Sequence, residues 1–547
     1  MIMVSPRPAD HQGSARSREF TSAVVISDAA LADALGERLQ LVAEPPRTVR
    51  REWFDTFDWR LHRAGLTLER ETGTPGDMDR LLLRGSAGNL LQVATLPDGE
   101  VIGSDTRDGF ALDTVVPSGP MRRRLAPVVQ MRALLTLVRF TAQVRIFRAV
   151  DVRAKTVARI TVEQSAGQAT NSPPLMCRLS VVPVRGYDDQ ADRLAHRLTA
   201  QPGLRPSSGG PLLQALAVVG RCPGDYTGQL DLTLQSTMPA QAAIQAILSR
   251  LLDIAEANAP GVIADLDSEF LHDLRVSVRR ARTALKLLGD ALPADEVDSL
   301  MAELKWIGDL TTPTRDLDCQ LLALTSAGAR GPKADDLLPY QAHVRARRQH
   351  TQKALVRGLR SERWSLACRR WRALATAGLD GAGELSTKIG ARPIGEVAGP
   401  RIARAYRRAR RLGDSIPEGS PGTDLHRLRK CCKELRYLLE FFAPILSDRP
   451  SRSVLTQLRA LQDCLGDVQD TEVLRAAIDA LADGTSTEAG LSAATLIAMG
   501  RFDDRLEFRQ RQARAQFADS FERFAARRTQ RHVAHLTTFS PVPTGRS

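Results

Sequence analysis

The sequence predicts a two-part α+β protein, with an N-terminal domain built on an antiparallel sheet and a C-terminal all-α domain. Three observations lead to this prediction. Short segments rich in Val, Ile, Leu and Thr, separated by Gly, Pro and Asp, fill residues 19–198, as in TSAVVIS, DRLLLRGS and CRLSVVPV. Beyond Pro239, apolar residues recur at spacings of three and four, which is typical of helices. The helical part also contains an internal repeat, which indicates two related halves.

Length and composition indicate several globular domains. The chain of 547 residues is too long for one core, because a domain usually has about 150 residues. No apolar run approaches the roughly 18 to 20 residues of a membrane-spanning helix, so we expect no membrane association. The seven cysteines are scattered, and the first residues lack the apolar core of a signal peptide. These features favour a cytoplasmic protein.

Changes in composition set the predicted domain boundaries. The segment QPGLRPSSGGP begins a predicted linker, and the Gly-rich stretch 376–400 divides the helical part. The predicted units are a disordered tail over 1–18, a β domain over 19–200, a linker over 201–238, a helical domain over 239–527 with bundles at 239–376 and 400–527, and a tail over 528–547.

The net charge of +13 and the pI near 9.9 favour anionic partners without specifying the anion. Residues 1–239 carry 29 basic and 25 acidic side chains, whereas residues 240–547 carry 47 and 38. The excess in the helical part is modest for its length. Specificity must therefore depend on where the basic residues lie.

The helical part contains two copies of one basic helix. FLHDLRVSVRRARTALKLLG begins at Phe270, and DLHRLRKCCKELRYLLEFFA repeats the pattern so that His272 aligns with His426, 154 residues later. LKWIGDLTTPTRDLD and LRALQDCLGDVQDTE match at the same separation. Two matches at one separation indicate a duplication. The same shift aligns Arg250 with Arg404, one helix upstream of each histidine.

On a helical projection the basic residues of each copy share one face. At about 100° per residue, those of the first copy fall within an arc of roughly 80°. They are His272, Arg275, Arg279, Arg282 and Lys286. The second copy presents His426, Arg429, Lys433 and Arg436, with Glu440 where the first copy has Lys286. The neighbouring arcs are apolar and should pack in a bundle: Leu274, Val278, Ala281, Leu285 and Leu288, then Leu428, Cys432, Leu435, Leu439 and Phe442. Suitable N-caps are Asp267 or Ser268, and Thr423 or Asp424.

Like charges at these spacings repel by a few tenths of a kcal/mol per pair in an isolated helix. No carboxylate lies along the basic stripe of the first copy. Arg donates two parallel hydrogen bonds to a phosphate, and a histidine becomes a stronger donor when protonated below about pH 6.5. The duplicated stripe therefore favours a binding surface for a phosphate-rich polyanion.

Other interpretations of the same residues are a solvated charged face for the stripe and a capping or core role for each histidine. The repeat also carries six aspartates: Asp309, Asp316, Asp318, Asp463, Asp467 and Asp470. They suggest a metal site, but no His or Cys accompanies them at ligand spacing. We expect them to cap helices or orient arginines, and we predict no metal and no cofactor.

The segments HDLRVSVRRAR and HRLRKCCKELRY resemble the signature helices of the conserved histidine α-helical domain, or CHAD, family, over roughly residues 240–527. The resemblance implies two four-helix bundles related by a pseudo-twofold axis, with a shared basic groove that binds inorganic polyphosphate. The implied phosphate contacts are His272, Arg275, Arg279, Arg282, His426, Arg429, Lys433 and Arg436, with Lys286, Arg250, Arg404 and Arg408 as further candidates. Residues 311–313, TTP, replace Leu-Gly-Asp of the second copy, so the local turn should differ.

In the N-terminal part, REWFDTFDWRLHRAGLTLERETG is similar to a segment of the CYTH, or triphosphate tunnel, enzymes. This resemblance implies an eight-stranded β tunnel in which an early Glu-x-Glu-x-Lys motif holds a divalent metal and triphosphate. Here that stretch is EFTSAVVIS with Glu19 alone, and Glu69 and Glu71 replace two arginines of the family pattern. Without paired carboxylates a metal-assisted attack has no template. We therefore expect a degenerate, non-catalytic tunnel.

The leading hypothesis is an inorganic polyphosphate-binding protein, associated with polyphosphate granules, that performs no covalent chemistry. One alternative is a CYTH-type, metal-dependent triphosphatase or polyphosphatase. Another is a nucleic-acid-binding protein, which the 5% aromatic content and a basic face without stacking residues, apart from Tyr437 nearby, disfavour. The sequence leaves open whether the protein is a homodimer.

Overall fold

The computed structural model forms two compact units, Met1–Thr227 and Gly228–Ser547. The residues that it describes are 18–35, 39–73, 79–86, 88–96, 109–167, 177–207, 210–328, 334–377, 387–417, 419–485 and 491–537. Among them, no helix has both the length and the apolar character needed to span a membrane.

The N-terminal unit is built on one antiparallel sheet, as the sequence predicts. Its strands follow the order β11-β1-β10-β9-β8-β3-β4-β5-β6, with β2 and β7 also paired to β8. The strands are β1 Arg18–Ser22, β2 Leu39–Ala43, β3 Arg47–Thr56, β4 Leu66–Thr72, β5 Arg80–Gly85, β6 Leu90–Thr95, β7 Gly109–Phe110, β8 Leu134–Asp151, β9 Thr156–Gly167, β10 Cys177–Pro183 and β11 Leu204–Pro206. The helices are α1 Asp28–Leu35, α2 Arg60–Arg63, α3 Leu112–Val115, α4 Pro120–Val129, α5 Asp188–Thr199 and α6 Pro211–Val218.

Alternation along the strands gives this sheet an apolar face that packs against α1 and α5. Leu31 of α1 and Leu194 of α5 join a buried cluster with Phe20, Ile160 and Leu179 of the strands. Such alternation places the intervening polar residues on the opposite face. That face carries Glu69 and Glu71.

The predicted linker over 201–238 is wrong. Residues 204–206 form β11, which pairs with β1, and Leu212, Ala215 and Leu216 of α6 pack against Trp53 and Phe140 of the sheet. The Pro, Gly and Ser residues mark the turns around these short elements. The boundary between the units lies after Thr227.

The C-terminal unit is helical, and its two halves repeat the same order of helices. The helices of the first half are α7 Ala240–Ile263, α8 Ser268–Leu288, α9 Ala294–Gly328, α10 Leu338–Leu359 and α11 Glu362–Thr376. Those of the second half are α12 Ile394–Asp414, α13 Gly422–Phe441, α14 Asp448–Thr485, α15 Ala493–Ala525 and α16 Arg527–Thr537. Across the described residues each half therefore has five helices, one more than the predicted bundle of four.

Two predicted boundaries of the helical part need correction. The second half begins at Ile394 and not at residue 400, and α16 occupies much of the predicted tail over 528–547. Helix α16 is held by Val533 and Leu536, which are buried. An apolar stripe of two residues is too short for the sequence pattern to distinguish a docked helix from a tail.

The signature helices α8 and α13 bury the predicted apolar stripes, whose members are each at most 3% exposed. The Asp267 carboxylate caps α8, because it accepts hydrogen bonds from the backbone amides of Glu269 at 2.8 Å and Phe270 at 3.2 Å. Helix α13 begins after Pro421 without a side-chain cap. The predicted caps Thr423 and Asp424 are therefore wrong.

Candidate functional site

Two ion pairs join the signature helices. Arg280 Nη2 of α8 lies 2.7 Å from Glu440 Oε2 of α13, and Lys286 Nζ of α8 lies 2.5 Å from Glu434 Oε1 of α13. At the repeat separation of 154, Arg280 corresponds to Glu434 and Lys286 to Glu440. Each pair is thus the symmetry mate of the other, as expected for two copies that cross at a pseudo-twofold axis. The sequence departure at Glu440 supplies the opposite charge that this crossing requires.

Tyr437 lies at the crossing and is 1% exposed. Arg279 Nε of the opposite helix donates a hydrogen bond to its hydroxyl oxygen at 2.7 Å. The guanidinium carbons of Arg280 and Arg436 lie 5.6 and 5.5 Å from its ring centroid, which is within cation–π range. The ring of Tyr437 therefore contacts arginines of both copies without neutralising their charges.

Helix α9 holds Arg275. Its Nη1 donates to the carbonyl oxygen of Gly308 at 3.2 Å and to the hydroxyl oxygens of Thr311 and Thr312 at 2.8 and 2.9 Å. Residues 311–313 lie within the continuous helix α9, just as 465–467 lie within α14, so the expected difference in the local turn is wrong. The two threonines orient an arginine. Burial lowers the pKa of Arg275, and the neighbouring Arg279 lowers it further.

The two histidines have equivalent partners in the two halves. His272 Nδ1 lies 3.0 Å from Arg315 Nη2 of α9, and His426 Nδ1 contacts Gln469 Oε1 of α14. Arg315 and Gln469 are 154 residues apart, so the duplication extends to these contacts. A guanidinium only donates, so Nδ1 of His272 is an acceptor, whereas Nδ1 of His426 donates to an amide oxygen. Sequence reasoning missed Arg315, although the repeat separation could have identified it.

In the second copy three basic side chains lie side by side on α13. Arg429 Nη2 lies 3.2 Å from Asp470 Oδ1, and Arg436 Nη1 donates to Gln462 Oε1 at 3.0 Å. Lys433 lies between these arginines on the helix and has no hydrogen bond or ion pair with any residue that the structure describes. Burial, followed by repulsion from Arg279 and Arg429, lowers the pKa of Lys433 to about 7.

We call Arg275, Arg279, Arg429, Lys433 and Arg436 the cation cluster. It contains residues of both copies, and the charges of Arg279, Arg429 and Arg436 all act on Lys433. Arg282 lies beside Gly308 of α9, and its side chain makes no hydrogen bond or ion pair with the described part of the chain. The arrangement concentrates positive charge that one dissociated phosphate chain could neutralise.

The remaining predicted site residues lie at the margin of the cluster or away from it. Lys286 and Arg408 both pair with Glu434, the latter at 3.2 Å. Arg250 donates to the backbone oxygen of Gln229 at 3.2 and 3.0 Å. Arg404 is exposed on α12. The structure therefore groups five of the twelve predicted residues in the cation cluster.

Three of the six predicted aspartates orient arginines, as expected. Asp470 pairs with Arg429, Asp318 Oδ1 lies 2.7 Å from Arg348 Nε, and Asp467 contacts Arg509. No group of three or more His, Cys, Asp or Glu side chains that could hold a metal ion occurs in the described ranges.

The polar face of the N-terminal sheet is neutralised internally. Arg51 lies 2.7 Å from Glu69, 3.2 Å from Glu71 and 3.0 Å from Glu163. Glu69 also accepts from Arg84 at 3.3 Å, and Glu71 pairs with Arg80. Burial alone would raise the pKa of Glu71, but these arginines hold it below its usual value. Glu69 and Glu71 thus bind arginines of their own sheet, an arrangement that the sequence alone did not reveal.

Comparisons with known proteins separate the two units. The family model described as CHAD domain matches residues 246–479, all within the helical unit. The CHAD domain from the plant Ricinus communis is 23% identical, with 54% of this chain and 96% of that chain covered and a TM-score of 0.45. PptA from Streptomyces chartreusis is 17% identical, with 52% and 100% covered and a TM-score of 0.42.

Other matching solved structures are of another kind. A putative adenylyl cyclase from Hippeastrum, HpAC1, described as having a dominant triphosphatase activity, is 12% identical, with 39% of this chain and 99% of that chain covered and a TM-score of 0.26. A putative adenylate cyclase from Bacillus halodurans is 13% identical, with 36% of this chain and 95% of that chain covered and a TM-score of 0.25. No curated protein matches the sequence.

Proposed function

We propose that this protein binds inorganic polyphosphate through the cation cluster and performs no covalent chemistry on it. The observation that supports this proposal most directly is the state of Lys433. A half-buried lysine among three arginines, with no acceptor in the described structure, is unfavourable without a ligand. A chain with one negative charge per phosphate would supply the missing acceptors to several of these side chains at once.

The ligand chemistry follows from the donors. Four of the five members of the cation cluster are arginines, whose planar forks match phosphate oxygens in pairs. Tyr437, the aromatic residue at the crossing, is buried under arginines and offers no exposed ring for a base. A phosphate backbone without bases fits these features better than a nucleic acid does.

The non-catalytic role of the N-terminal unit is part of the proposal. Arg51, Arg80 and Arg84 are engaged with Glu69 and Glu71, so they are not available to a triphosphate. A substrate would first have to break these buried pairs, which costs several kcal/mol. Incubation of the protein with tripolyphosphate or polyphosphate and Mg²⁺ should release no phosphate. Metal-dependent release would overturn this part of the proposal.

Binding is tested by titrating long-chain polyphosphate into wild type and into the variant R275A/R279A/R429A/K433A. Loss of four charged contacts should weaken binding on the order of a hundredfold and reduce its dependence on salt. The matched control is R369A/R372A/R392A/R452A, because these arginines are exposed and each is paired with a carboxylate.

The control removes the same net charge and should bind almost as wild type does. Equal affinity of wild type and the cluster variant would refute the proposal. Stronger competition by duplex DNA than by polyphosphate at matched salt would favour nucleic acid instead. A fluorescent fusion should collect on polyphosphate granules, and the cluster variant should not.

A further inference from the structure

A second basic surface lies on helices α12 and α16, away from the crossing of α8 and α13. Within α12, residues 401–411 include six arginines, and no Asp or Glu occurs between Glu396 and Asp414. From Arg527 to the last residue the sequence has four arginines and again no Asp or Glu. Both segments are thus basic and free of carboxylate side chains.

The fold places these two segments side by side. Arg410 Nη1 of α12 donates to Gln530 Oε1 of α16 at 3.0 Å, and Tyr406 of α12 packs against Phe524 just before α16. The arginines on the solvent-facing sides of α12 and α16 are exposed. We call this set the outer arginine surface: Arg404, Arg407, Arg411, Arg527, Arg528 and Arg531.

These arginines differ from several exposed arginines of the same unit, which are paired with carboxylates. Arg369 pairs with Glu362 at 2.5 Å, Arg452 with Asp448 at 2.8 Å and Arg392 with Glu396 at 3.1 Å. In contrast, no member of the outer arginine surface has an ion pair or hydrogen bond with a side chain that the structure describes. A solvated face of ordinary composition would contain such pairs.

The placement is also unfavourable for the helices themselves. Arg527 and Arg528 occupy the first turn of α16, where the helix dipole disfavours positive charge. Arg404, Arg407 and Arg411 are spaced three and four apart on α12, so they repel one another. An anionic ligand would relieve both effects.

The surface is continuous with the cation cluster through α12. Helix α12 packs against α13, and Arg408 of α12 reaches Glu434 of α13. Helix α12 also packs against α16, so it connects α13 with the helix that carries Arg527, Arg528 and Arg531. A flexible chain held at the cluster could follow this path.

We propose that the outer arginine surface is a second binding site for the same polyphosphate chain, engaged only by chains that extend beyond the cation cluster. This inference rests on the function proposed above. Bases would find no exposed Phe, Tyr or Trp ring on α12 or α16, and an acidic membrane would find no exposed large apolar residue there. Guanidinium groups without such neighbours fit a bare phosphate chain best.

The test compares tripolyphosphate with long-chain polyphosphate, titrated at several salt concentrations. The variant R407A/R411A/R527A/R531A should bind tripolyphosphate as wild type does. It should bind long chains on the order of tenfold more weakly. The slope of log affinity against log salt should fall by about three for four lost contacts, at about 0.7 per contact. The paired-arginine variant R369A/R372A/R392A/R452A, with the same net charge, should keep the wild-type slope.

The outcomes separate this inference from the proposed function. If wild type binds long chains and the variant R407A/R411A/R527A/R531A binds them with the same affinity and the same salt slope, the second binding site is refuted. The proposed site at the cation cluster is not affected by that result. If wild type binds neither ligand, the proposed function itself fails. If the variant no longer binds duplex DNA or anionic vesicles but still binds long polyphosphate as wild type does, the surface binds that other partner and the inference is overturned.

Discussion

Raising the pH from 7 to 9 should weaken polyphosphate binding through the loss of one proton, that of Lys433. In the unliganded protein its pKa is about 7, against an ordinary value of 10.5. Burial is the largest cause, and repulsion by Arg279 of the other copy and by Arg429 and Arg436 adds to it, while Asp470 opposes it. A bound phosphate chain supplies negative charge and raises the pKa again. At any pH at which the amine of Lys433 is neutral in the unliganded protein, polyphosphate binding is therefore accompanied by the uptake of a proton.

The magnitude follows from the two pKa values. At pH 7 about half of the unliganded molecules carry the proton, and at pH 9 about one in a hundred does. If the ligand restores a pKa of 10.5, the affinity falls about 50-fold between pH 7 and 9, and if it restores only about 9, the fall is about 25-fold. Either value corresponds to about 2 kcal/mol, which exceeds the error of a binding titration.

The assay is isothermal titration calorimetry with long-chain polyphosphate at pH 7, 8 and 9 and constant ionic strength. Buffers with different ionisation enthalpies report the protons taken up. The control is Lys433→Arg, because a guanidinium stays charged across this range and should give nearly constant affinity. Any titration of the polyphosphate itself affects both proteins equally. The same pH dependence in wild type and K433R, or no proton uptake at pH 8, would refute the reasoning.

Three further predictions concern stability. The pKa of Lys433 is lower in the folded state than in the unfolded state, so the unfolded state binds more protons between pH 7 and 10.5 and stability rises with pH there. Relative to K433M, the free energy of unfolding of wild type, measured by urea titration, should increase by about 2 kcal/mol from pH 7 to 9. The same pH dependence of stability in both proteins would contradict this. A double-mutant cycle of R280M and E440Q should give a coupling of about 1 kcal/mol, because the paired side chains are 16% and 19% exposed; zero coupling would show that the pair does not join the helices. Glu69→Ala should cost about 3 kcal/mol, measured by urea unfolding of the N-terminal unit, since it removes one of three carboxylates around buried Arg51. The control is Asp192→Ala, an exposed carboxylate of the same unit that also pairs with an arginine, and an equally small effect of both substitutions would contradict the buried network.

Local patterns predicted the fold class because they depend on near neighbours in the chain. The spacing of Leu274, Val278 and Leu285 fixed the buried side of α8, and the carboxylate of Asp267 fixed its start. Composition was less informative where elements were short. Three residues of β11 and the two buried side chains of α16 leave almost no pattern, although backbone pairing and docking hold both in place.

By itself the sequence determined that a basic helix occurs twice, 154 residues apart, and therefore that cations of two copies belong to one candidate site. Only the tertiary structure decided which of them remain available. Lys286 is paired with Glu434, whereas Lys433 is left among arginines, one of which, Arg279, comes from the other copy. The physical reason is that charge interactions depend on distance in space: the residues that neutralise or destabilise each cation lie on other helices, and a helical projection shows only one helix at a time.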